Sequence, residues 1–277
     1  MKFVNIASDE RIPALGMGTW NMGDRQARHN EEIRSLQRGI DLGMSLIDTA
    51  EMYGEGAAEK LVGEAIAGRR EQVFLVSKVY PHNATGKGTI AACERSLARL
   101  DTDHIDLYLL HWRGNVPFRK TIEAFEHLQR QGKIRHWGAS NLDPTDMAEL
   151  CSTPDGNRVA TNQVLYNLTR RGIEWDLLPW CSEHQIPVMA YSPIEQARLL
   201  QDSRLKKLGE DMGKSPAQIA LAWVLSRNNV IAIPKASNHL HVEENYGALE
   251  CALDPEVMSR LDAIFPPPRR ATSLEML

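Results

Sequence analysis

An aspartate and a tyrosine lie close together at the end of an apolar segment of the chain. Leu46 and Ile47 lead into Asp48, and Tyr53 follows one short turn later. A phenol ordinarily keeps its proton, because its pKa is about 10. It acts as an acid near neutral pH only where a neighbouring cation stabilises the phenolate, so this pair of residues requires a cationic partner.

Two later apolar segments end in residues that can supply that environment. Lys78 ends the segment Val-Phe-Leu-Val-Ser-Lys, and His111 ends the segment Leu-Tyr-Leu-Leu-His. Catalytic groups of α/β barrels come from the carboxyl ends of the strands, where these residues would lie beside Asp48 and Tyr53. A single lysine or histidine at a strand end is more often a solvated residue, and Asp48 with Lys78 could be a structural ion pair. Titratable residues recur at several strand ends, however, and this recurrence favours the interpretation that they form a catalytic cluster.

These segments belong to a unit that repeats along the chain, in which an amphipathic helix, a turn and a short apolar strand follow one another. Helices are predicted near residues 30–42, 57–67, 88–100, 119–131, 144–151, 175–184, 215–227 and 238–248. Strands are predicted near residues 15–20, 46–50, 73–78, 107–111, 136–140, 161–166, 187–191 and 231–235. Apolar strands that alternate with helices indicate a parallel sheet covered on its faces.

Eight such units in 277 residues predict a (β/α)8 TIM barrel of the α/β class. A doubly wound sheet is the alternative, but the sequence shows no break into two domains, so residues 1–277 are interpreted as one domain. Residues 3–13 predict an N-terminal β-hairpin that could cover one end of the barrel. Residues 194–214 predict a long loop with a charged helix in it, and residues 254–264 predict an extra helix. Loops of that length are usually functional.

Composition disfavours several classes of protein. Charged residues make up 25% of the chain and the formal net charge is −4, which argues against binding to nucleic acid or to an anionic membrane. Four cysteines are scattered without metal-site or disulfide spacing, as is typical of a reducing compartment. The N-terminus lacks the apolar core of a signal peptide, and no apolar run approaches about 20 residues. We therefore expect a cytoplasmic protein, a monomer or weak homo-oligomer, without a metal.

Ordered matches over essentially the whole chain resemble the aldo-keto reductases. They are residues 15–20 (LGMGTW), 47–53 (IDTAEMY), 75–78 (LVSK), 107–111 (LYLLH), 133–141 (KIRHWGASN), 162–163 (NQ), 190–193 (AYSP) and 233–235 (IPK). Among subgroups, the chain is most similar to bacterial reductases of methylglyoxal and other small aldehydes. The resemblance implies the barrel fold and the NADPH-dependent reduction of a small-molecule carbonyl.

The resemblance also implies a role for each of the four residues at the strand ends. Tyr53 would donate a proton to the developing alkoxide, and Lys78 would lower the pKa of Tyr53. Asp48 would pair with Lys78 and hold it in place. A neutral His111 would donate a hydrogen bond to the carbonyl oxygen of the substrate.

A second set of positions matches residues that bind the cofactor in the family. Ser140, Asn141 and Gln163 would bind the nicotinamide carboxamide, and Tyr191 would stack on the nicotinamide ring. Asp48 and Thr49 would lie near the nicotinamide ribose, and Ser192, Pro193 and Ile194 would follow the pyrophosphate. Gly18 and Thr19 are also expected to bind the cofactor. Lys235, Ser237 and Asn238 would bind the adenosine 2′-phosphate, and Glu244 and Asn245 the adenine. No Gly-x-Gly-x-x-Gly follows a strand, so a Rossmann phosphate turn is not supported.

The sequence departs from the family pattern at two positions. His241 stands where many relatives have an arginine that grips the 2′-phosphate, and a neutral imidazole holds a phosphate less firmly than a guanidinium. NADPH remains the expected cofactor because of Lys235, with some use of NADH. Residues 53–56 read Tyr-Gly-Glu-Gly where many members have Tyr-x-Asn-Glu, which alters the loop next to the substrate pocket.

The predicted substrate pocket is aromatic and weakly polar, which suits small aldehydes and ketones. Its expected lining is Trp20, Met52, Tyr80, Trp112 and Phe118. Residues 266–277 are expected to cover a fairly open site.

Two alternatives from other classes stay open at the level of sequence. A metal-dependent barrel enzyme could use Asp48, Glu51 and His111 as ligands, although Lys78 among them would repel a metal. An interaction protein could bind NADPH on the same fold without useful turnover.

Overall fold

The computed structural model describes residues 1–7 and 10–277, and its centre is a sheet of eight parallel strands that follow the order of the chain. The strands are β3 (Met17–Gly18), β4 (Leu46–Asp48), β5 (Phe74–Val79), β6 (Ile105–Leu110), β7 (Ile134–Ser140), β8 (Asn162–Leu165), β9 (Val188–Tyr191) and β10 (Val230–Ala232). Parallel bridges from Leu15 to Ala232 and from Gly18 to Lys235 join the first strand to the last. The sheet therefore closes into the predicted barrel.

Gly18 shows why the closure needs a small residue at this position. A Cβ atom added there would lie 2.9 Å from the carbonyl oxygen of Ile233, which is closer than a side chain tolerates. The first and last strands can approach each other only because this residue has no side chain.

The helices that surround the barrel also agree with the predicted repeat. They are α1 (His29–Asp41), α2 (Ala57–Ile66), α3 (Gly86–Leu100), α4 (Phe118–Arg130), α5 (Pro144–Ser152), α6 (Leu177–Glu183), α7 (Ser203–Met212), α8 (Pro216–Leu225), α9 (His239–Tyr246) and α10 (Pro255–Ile264). The two extra helical segments predicted from the sequence are α7 and α10. None of the helices among the described residues is both long enough and apolar enough to cross a bilayer.

The N-terminal hairpin lies at the end of the barrel where the strands begin. Its strands β1 (Phe3–Ile6) and β2 (Glu10–Pro13) pair antiparallel, while residues 8 and 9 of the predicted turn lie outside the described residues. The Glu10 carboxylate lies 2.7 Å from Arg135 and 2.6 Å from His136, near the start of β7. The hairpin is therefore held away from the face on which the strands end.

The strands place apolar side chains in the interior and polar side chains at one end. Every residue of β5 and β6 is buried. Asp48 ends β4, Lys78 is the next-to-last residue of β5, and His111 directly follows β6. Because neighbouring strands are parallel, these three side chains all lie at the C-terminal face of the barrel, where active sites of this fold are built.

Candidate active site

The ammonium of Lys78 joins the residues at the centre of this face. Its Nζ lies 2.7 and 2.8 Å from the two carboxylate oxygens of Asp48, 2.9 Å from the carbonyl oxygen of Thr49 and 3.0 Å from the hydroxyl of Tyr53. Lys78 and Asp48 are almost completely buried. An unpaired charge in such a place would be strongly unfavourable, so the pair has to form for both residues to stay inside.

Burial dominates the titration of the Tyr53 phenol. Desolvation raises the pKa of Tyr53 well above its ordinary value, and the negative charge of the Asp48 carboxylate acts in the same direction. The expected lowering of the Tyr53 pKa is therefore not met in this structure, because burial, the largest cause of the shift, raises the pKa. The phenol keeps its proton at neutral pH, which is the form that a proton donor requires.

His111 lies beside Tyr53 and is neutral. The centroids of the two rings are 5.9 Å apart. Burial, aided by the charge of Lys78, lowers the pKa of His111 to about 2. Its Nδ1 is buried and has no hydrogen-bond partner among the described residues. A neutral imidazole can donate only one hydrogen bond, so the ring suits the recognition of a carbonyl oxygen.

A cleft of about 740 Å³ runs from these residues across the mouth of the barrel. Its lining includes most of the residues predicted to bind cofactor and substrate. They are Gly18, Thr19, Trp20, Asp48, Met52, Tyr53, His111, Trp112, Ser140, Asn141, Gln163, Tyr191, Ser192, Pro193, Ile194, Lys235, Ser237, Asn238 and His241. The structure therefore assembles one continuous site from seven of the eight strands or the loops that follow them, while β5 contributes Lys78 beneath it.

Hydrogen bonds fix the polar side chains in the middle of the cleft. The Gln163 amide donates to Asp48 Oδ1 over 2.7 Å, and Ser140 Oγ donates to the Gln163 carbonyl over 2.8 Å. Asn141 lies in the left-handed region with φ 57°, where its side chain accepts a hydrogen bond from the Tyr191 hydroxyl over 3.0 Å. The strands β4, β7, β8 and β9 are therefore tied to one another beside the catalytic candidates.

The outer end of the cleft has the donors that a phosphate monoester needs. Lys235 forms no ion pair with any residue that the structure describes, and burial lowers its pKa while charges of both signs lie around it. The hydroxyl oxygen of Ser237 is buried without a hydrogen-bond partner in the described part of the chain. Asn238 caps α9 by accepting a hydrogen bond from the backbone of His241 over 2.9 Å. These residues fit the 2′-phosphate of NADP(H).

Several predicted site residues do not line the cleft. Thr49 is completely buried and contributes its carbonyl to Lys78, and Asn245 is buried within α9, where Glu244 precedes it. Tyr80 lies behind Trp112, with ring centroids 5.8 Å apart. The predicted direct ligand contacts of Thr49, Tyr80, Phe118, Glu244 and Asn245 are not supported, because none of these residues lines the cleft.

The displaced aromatic residues have their own partners. The backbone N–H of Tyr80 donates to Glu51 over 2.9 Å, and its ring lies 4.6 Å from that of His82. Phe118 is buried at the start of α4, under the guanidinium of Arg113. Both rings therefore support the wall of the cleft from behind.

Glu51 also turns away from the site. Its carboxylate accepts hydrogen bonds from Tyr80, from Asn83 over 3.0 Å and from Arg95 over 3.3 Å. Within residues 1–7 and 10–277, no group of three or more histidine, cysteine or acidic side chains is placed to hold a metal. The metal-site alternative with Asp48, Glu51 and His111 is not assembled.

Sequence reasoning missed part of the lining. The additional residues are Asn21, Arg28, Glu31, Gln196, Ala197, Ile233, Ala236, Met276 and Leu277. Met276 and Leu277 belong to the segment expected to cover the pocket, but a methionine and a leucine do not by themselves indicate a binding site. Arg28 and Glu31 lie at the start of α1, where a charged residue is ordinarily a solvated one.

The fold and the site define an NADP-dependent carbonyl reductase built on a TIM barrel, and comparison with known proteins agrees. The family model described as "Aldo/keto reductase family" matches residues 14–265. The chain belongs to the aldo/keto reductase family. Its cofactor is NADP(H), and its reaction is the NADPH-dependent reduction of carbonyl compounds.

Individual relatives cover nearly the full chain. Methylglyoxal reductase YeaE of Escherichia coli is 52% identical over 281 residues, which cover 100% of this chain and 99% of that protein. Glyoxal reductase of Bacillus subtilis is 33% identical, over 94% of this chain and 92% of that protein. The crystal structure of an aldo/keto reductase from Klebsiella pneumoniae in complex with NADP and acetate superposes with a TM-score of 0.97 at 50% identity, covering 100% of this chain and 99% of that chain.

Proposed function

We propose that this chain reduces small aldehydes of the methylglyoxal type, and aromatic aldehydes, to alcohols with Tyr53 as the proton donor. The observation that carries the proposal is the position of the Lys78 ammonium, which contacts Asp48 and Tyr53 at once at the inner end of the cleft. The full-length likeness to a methylglyoxal reductase supports the substrate class.

The lining of the inner end agrees with small, weakly polar substrates. The Trp20 ring meets Tyr53 edge to face, with centroids 5.1 Å apart, and the Trp112 ring lies 4.8 Å from His111. Met52 completes this part of the lining. Two hydrogen-bond donors, the Tyr53 hydroxyl and the His111 imidazole, are thus surrounded by apolar surface. Such a site favours a carbonyl compound with a short carbon chain.

The chemical step transfers a hydride to the carbonyl carbon and a proton to the carbonyl oxygen. NADPH, when bound, supplies the hydride. Tyr53 gives its phenolic proton to the oxygen as negative charge develops there, while the neutral imidazole of His111 donates a hydrogen bond that orients the carbonyl. Lys78 stays close to the phenolate that forms, and Asp48 holds Lys78. Solvent then returns a proton to Tyr53, so the balance is one aldehyde, one NADPH and one proton consumed for one alcohol.

The remaining cleft residues bind the cofactor in this proposal. Ser140, Asn141 and Gln163 hold the nicotinamide carboxamide, and Tyr191 packs against the ring. Lys235 and Ser237 bind the 2′-phosphate. His241, exposed at the start of α9, lacks the two-pronged guanidinium that an arginine would bring to that phosphate, so NADH serves as a weaker cofactor.

Replacing Tyr53 by phenylalanine tests the assignment of the proton donor. The change removes only the hydroxyl, so we expect kcat for methylglyoxal to fall by about 100-fold or more, the range of a general acid. NADPH affinity, measured by quenching of tryptophan fluorescence, should change by no more than about twofold.

The matched control is Tyr80→Phe, which removes a hydroxyl from the ring that lies behind Trp112. This variant should keep the activity of the parent protein. Unchanged turnover in Tyr53→Phe, or an equal loss in both variants, would refute Tyr53 as the donor.

A further inference from the structure

A buried carboxylate anchors the loop that follows β9. Glu195 is only 5% exposed. Its carboxylate accepts hydrogen bonds from Asn167 over 2.8 Å, from two nitrogens of Arg170 over 2.9 and 3.2 Å, and from Arg198 over 2.9 Å. Asn167 also donates to the carbonyl of Ser192 over 2.9 Å, so the loop is held at both of its ends.

The anchored loop forms one wall of the cleft in an unfavourable backbone conformation. Glu195, Gln196 and Ala197 have φ values of 50°, 53° and 68°, and Ser192 has φ 47°. A left-handed conformation costs a residue other than glycine roughly 1–2 kcal/mol. Such a turn persists only when its surroundings hold it, and here the hydrogen bonds to Glu195 do so. Ser192, Gln196 and Ala197 all line the cleft.

A second wall of the cleft comes from the end of residues 266–277, which we call the tail segment. Thr272 passes so close to Gly172 that an added Cβ there would lie 2.6 Å from the threonine hydroxyl. Met276 and Leu277 line the cleft, and the backbone N–H of Leu277 lies 3.4 Å from the Tyr191 hydroxyl. The tail segment therefore borders the ring that is expected to pack on the nicotinamide.

One arginine contacts both walls. Arg170 donates through Nε and Nη2 to Glu195 on the loop, and through Nη1 to Glu275 on the tail segment over 2.5 Å. Both carboxylates raise the pKa of this guanidinium. Because a guanidinium is planar, its orientation toward one carboxylate constrains the orientation available for the other.

We propose that Arg170 is a positioning residue that couples the tail segment to the cofactor wall, so that the carboxylate of Glu275 slows the release of NADPH. Glu275 does not line the cleft itself, and it acts by holding Arg170 against Glu195. The inference rests on the proposed position of the cofactor along residues 192–194. In this proposal, the Arg170 side chain both holds the tail segment over the substrate end of the cleft and helps to retain the cofactor.

Release of NADPH from the full-length protein tests this coupling directly. Stopped-flow displacement of bound NADPH by excess NADP⁺, followed by NADPH fluorescence, gives the release rate without turnover. We expect Glu275→Ala to accelerate release about threefold or more, and Arg170→Met more strongly, as for residues in one hydrogen-bonded network. The midpoint of thermal unfolding of Glu275→Ala should stay unchanged, because this side chain is exposed on the surface.

A double-variant cycle separates coupling from an independent effect of the tail segment. In the Arg170→Met background, Glu275→Ala should change the release rate by less than about twofold, because its partner is gone. The matched control is Glu183→Ala, an exposed glutamate that forms no ion pair with the described residues, and its release rate should equal that of the parent.

Two results would overturn the proposal. One is a release rate in Glu275→Ala within about twofold of the parent, and the other is an undiminished effect of Glu275→Ala in the Arg170→Met background. Neither result bears on Tyr53, whose test measures turnover. Conversely, an active Tyr53→Phe variant would refute the proposed acid and leave the release measurements intact.

Discussion

Lys78 makes three contacts at once, and each restricts the other two. Its ammonium lies between a carboxylate, a backbone carbonyl and a phenol, so it cannot move toward one without leaving another. The side chain is completely buried, and burial lowers its pKa while the charge of Asp48 opposes that shift. The same geometry that keeps the pair inside the barrel also fixes the hydroxyl of Tyr53.

His111 should make the stability of the protein depend on pH in a defined direction. Its pKa is about 2 in the folded state and about 6.5 in an unfolded chain. Below pH 6.5 the unfolded chain therefore binds a proton that the folded protein does not, and folding stability falls by up to about 1.4 kcal/mol per pH unit. We expect His111→Gln to remove most of this slope in urea unfolding measured at pH 7.0, 5.5 and 4.5.

The control for that measurement is His82→Gln, at an exposed position on the loop after β5. It should keep the pH dependence of the parent. Equal slopes in His111→Gln and the parent would mean that His111 titrates in the folded protein much as it does in the unfolded chain, contrary to its burial.

At the scale of elements, the parallel register of β4 and β5 brings a negative and a positive charge to the same end of neighbouring strands. Asp48 pairs in register with Val76, two residues before Lys78. Apart from Ser77, the other residues of these two strands are apolar, so the ion pair marks the boundary between the packed interior of the barrel and the site. Breaking it should affect both stability and activity.

Replacing Lys78 by methionine should cost about 3–5 kcal/mol of unfolding free energy, because Asp48 would remain buried without its cation. Adding Asp48→Asn should recover a large part of that loss, since the buried charge is then removed. Aldehyde reduction should stay lost in both variants. Chemical denaturation and kcat measurements check the two effects separately.

Lys60→Met, at an exposed position of α2, serves as the matched lysine control. Its unfolding free energy should stay within about 0.5 kcal/mol of the parent. A Lys78→Met variant as stable as this control, or a double variant that regains activity, would contradict the role given to the pair.

At the scale of the whole molecule, the cleft combines an aromatic inner end with a cationic outer end. The inner end is bordered by Trp20, Trp112 and Leu277, and the outer end holds Lys235. Substrate choice and cofactor choice are thus made by different parts of the barrel mouth. They can be measured independently of each other.

A panel of carbonyl compounds with both cofactors checks this division. We expect kcat/KM to be higher for methylglyoxal and aromatic aldehydes than for keto sugars or steroids. We expect NADPH to be preferred over NADH by about tenfold or more, because the 2′-phosphate gains charge-assisted hydrogen bonds from Lys235. A steroid preferred over methylglyoxal, or equal use of both cofactors, would contradict these expectations.

The barrel and the four residues at its centre could be predicted before the structure was known. The alternation of apolar strands with amphipathic helices is a local pattern, and each polar residue at a strand end can be located by its position in that pattern. Parallel strands then have to bring Asp48, Lys78 and His111 to one face. For this reason, no long-range information was needed to place them together.

Features that depend on long-range contacts and on burial could be seen only in the folded structure. The raised pKa of Tyr53 follows from desolvation by the surrounding fold and not from its neighbours in the sequence. The position of Tyr80 behind Trp112 depends on how the loop after β5 bonds to Glu51. Likewise, the link between residues 195 and 275 through Arg170 joins segments distant in the chain, and no local pattern encodes such a contact.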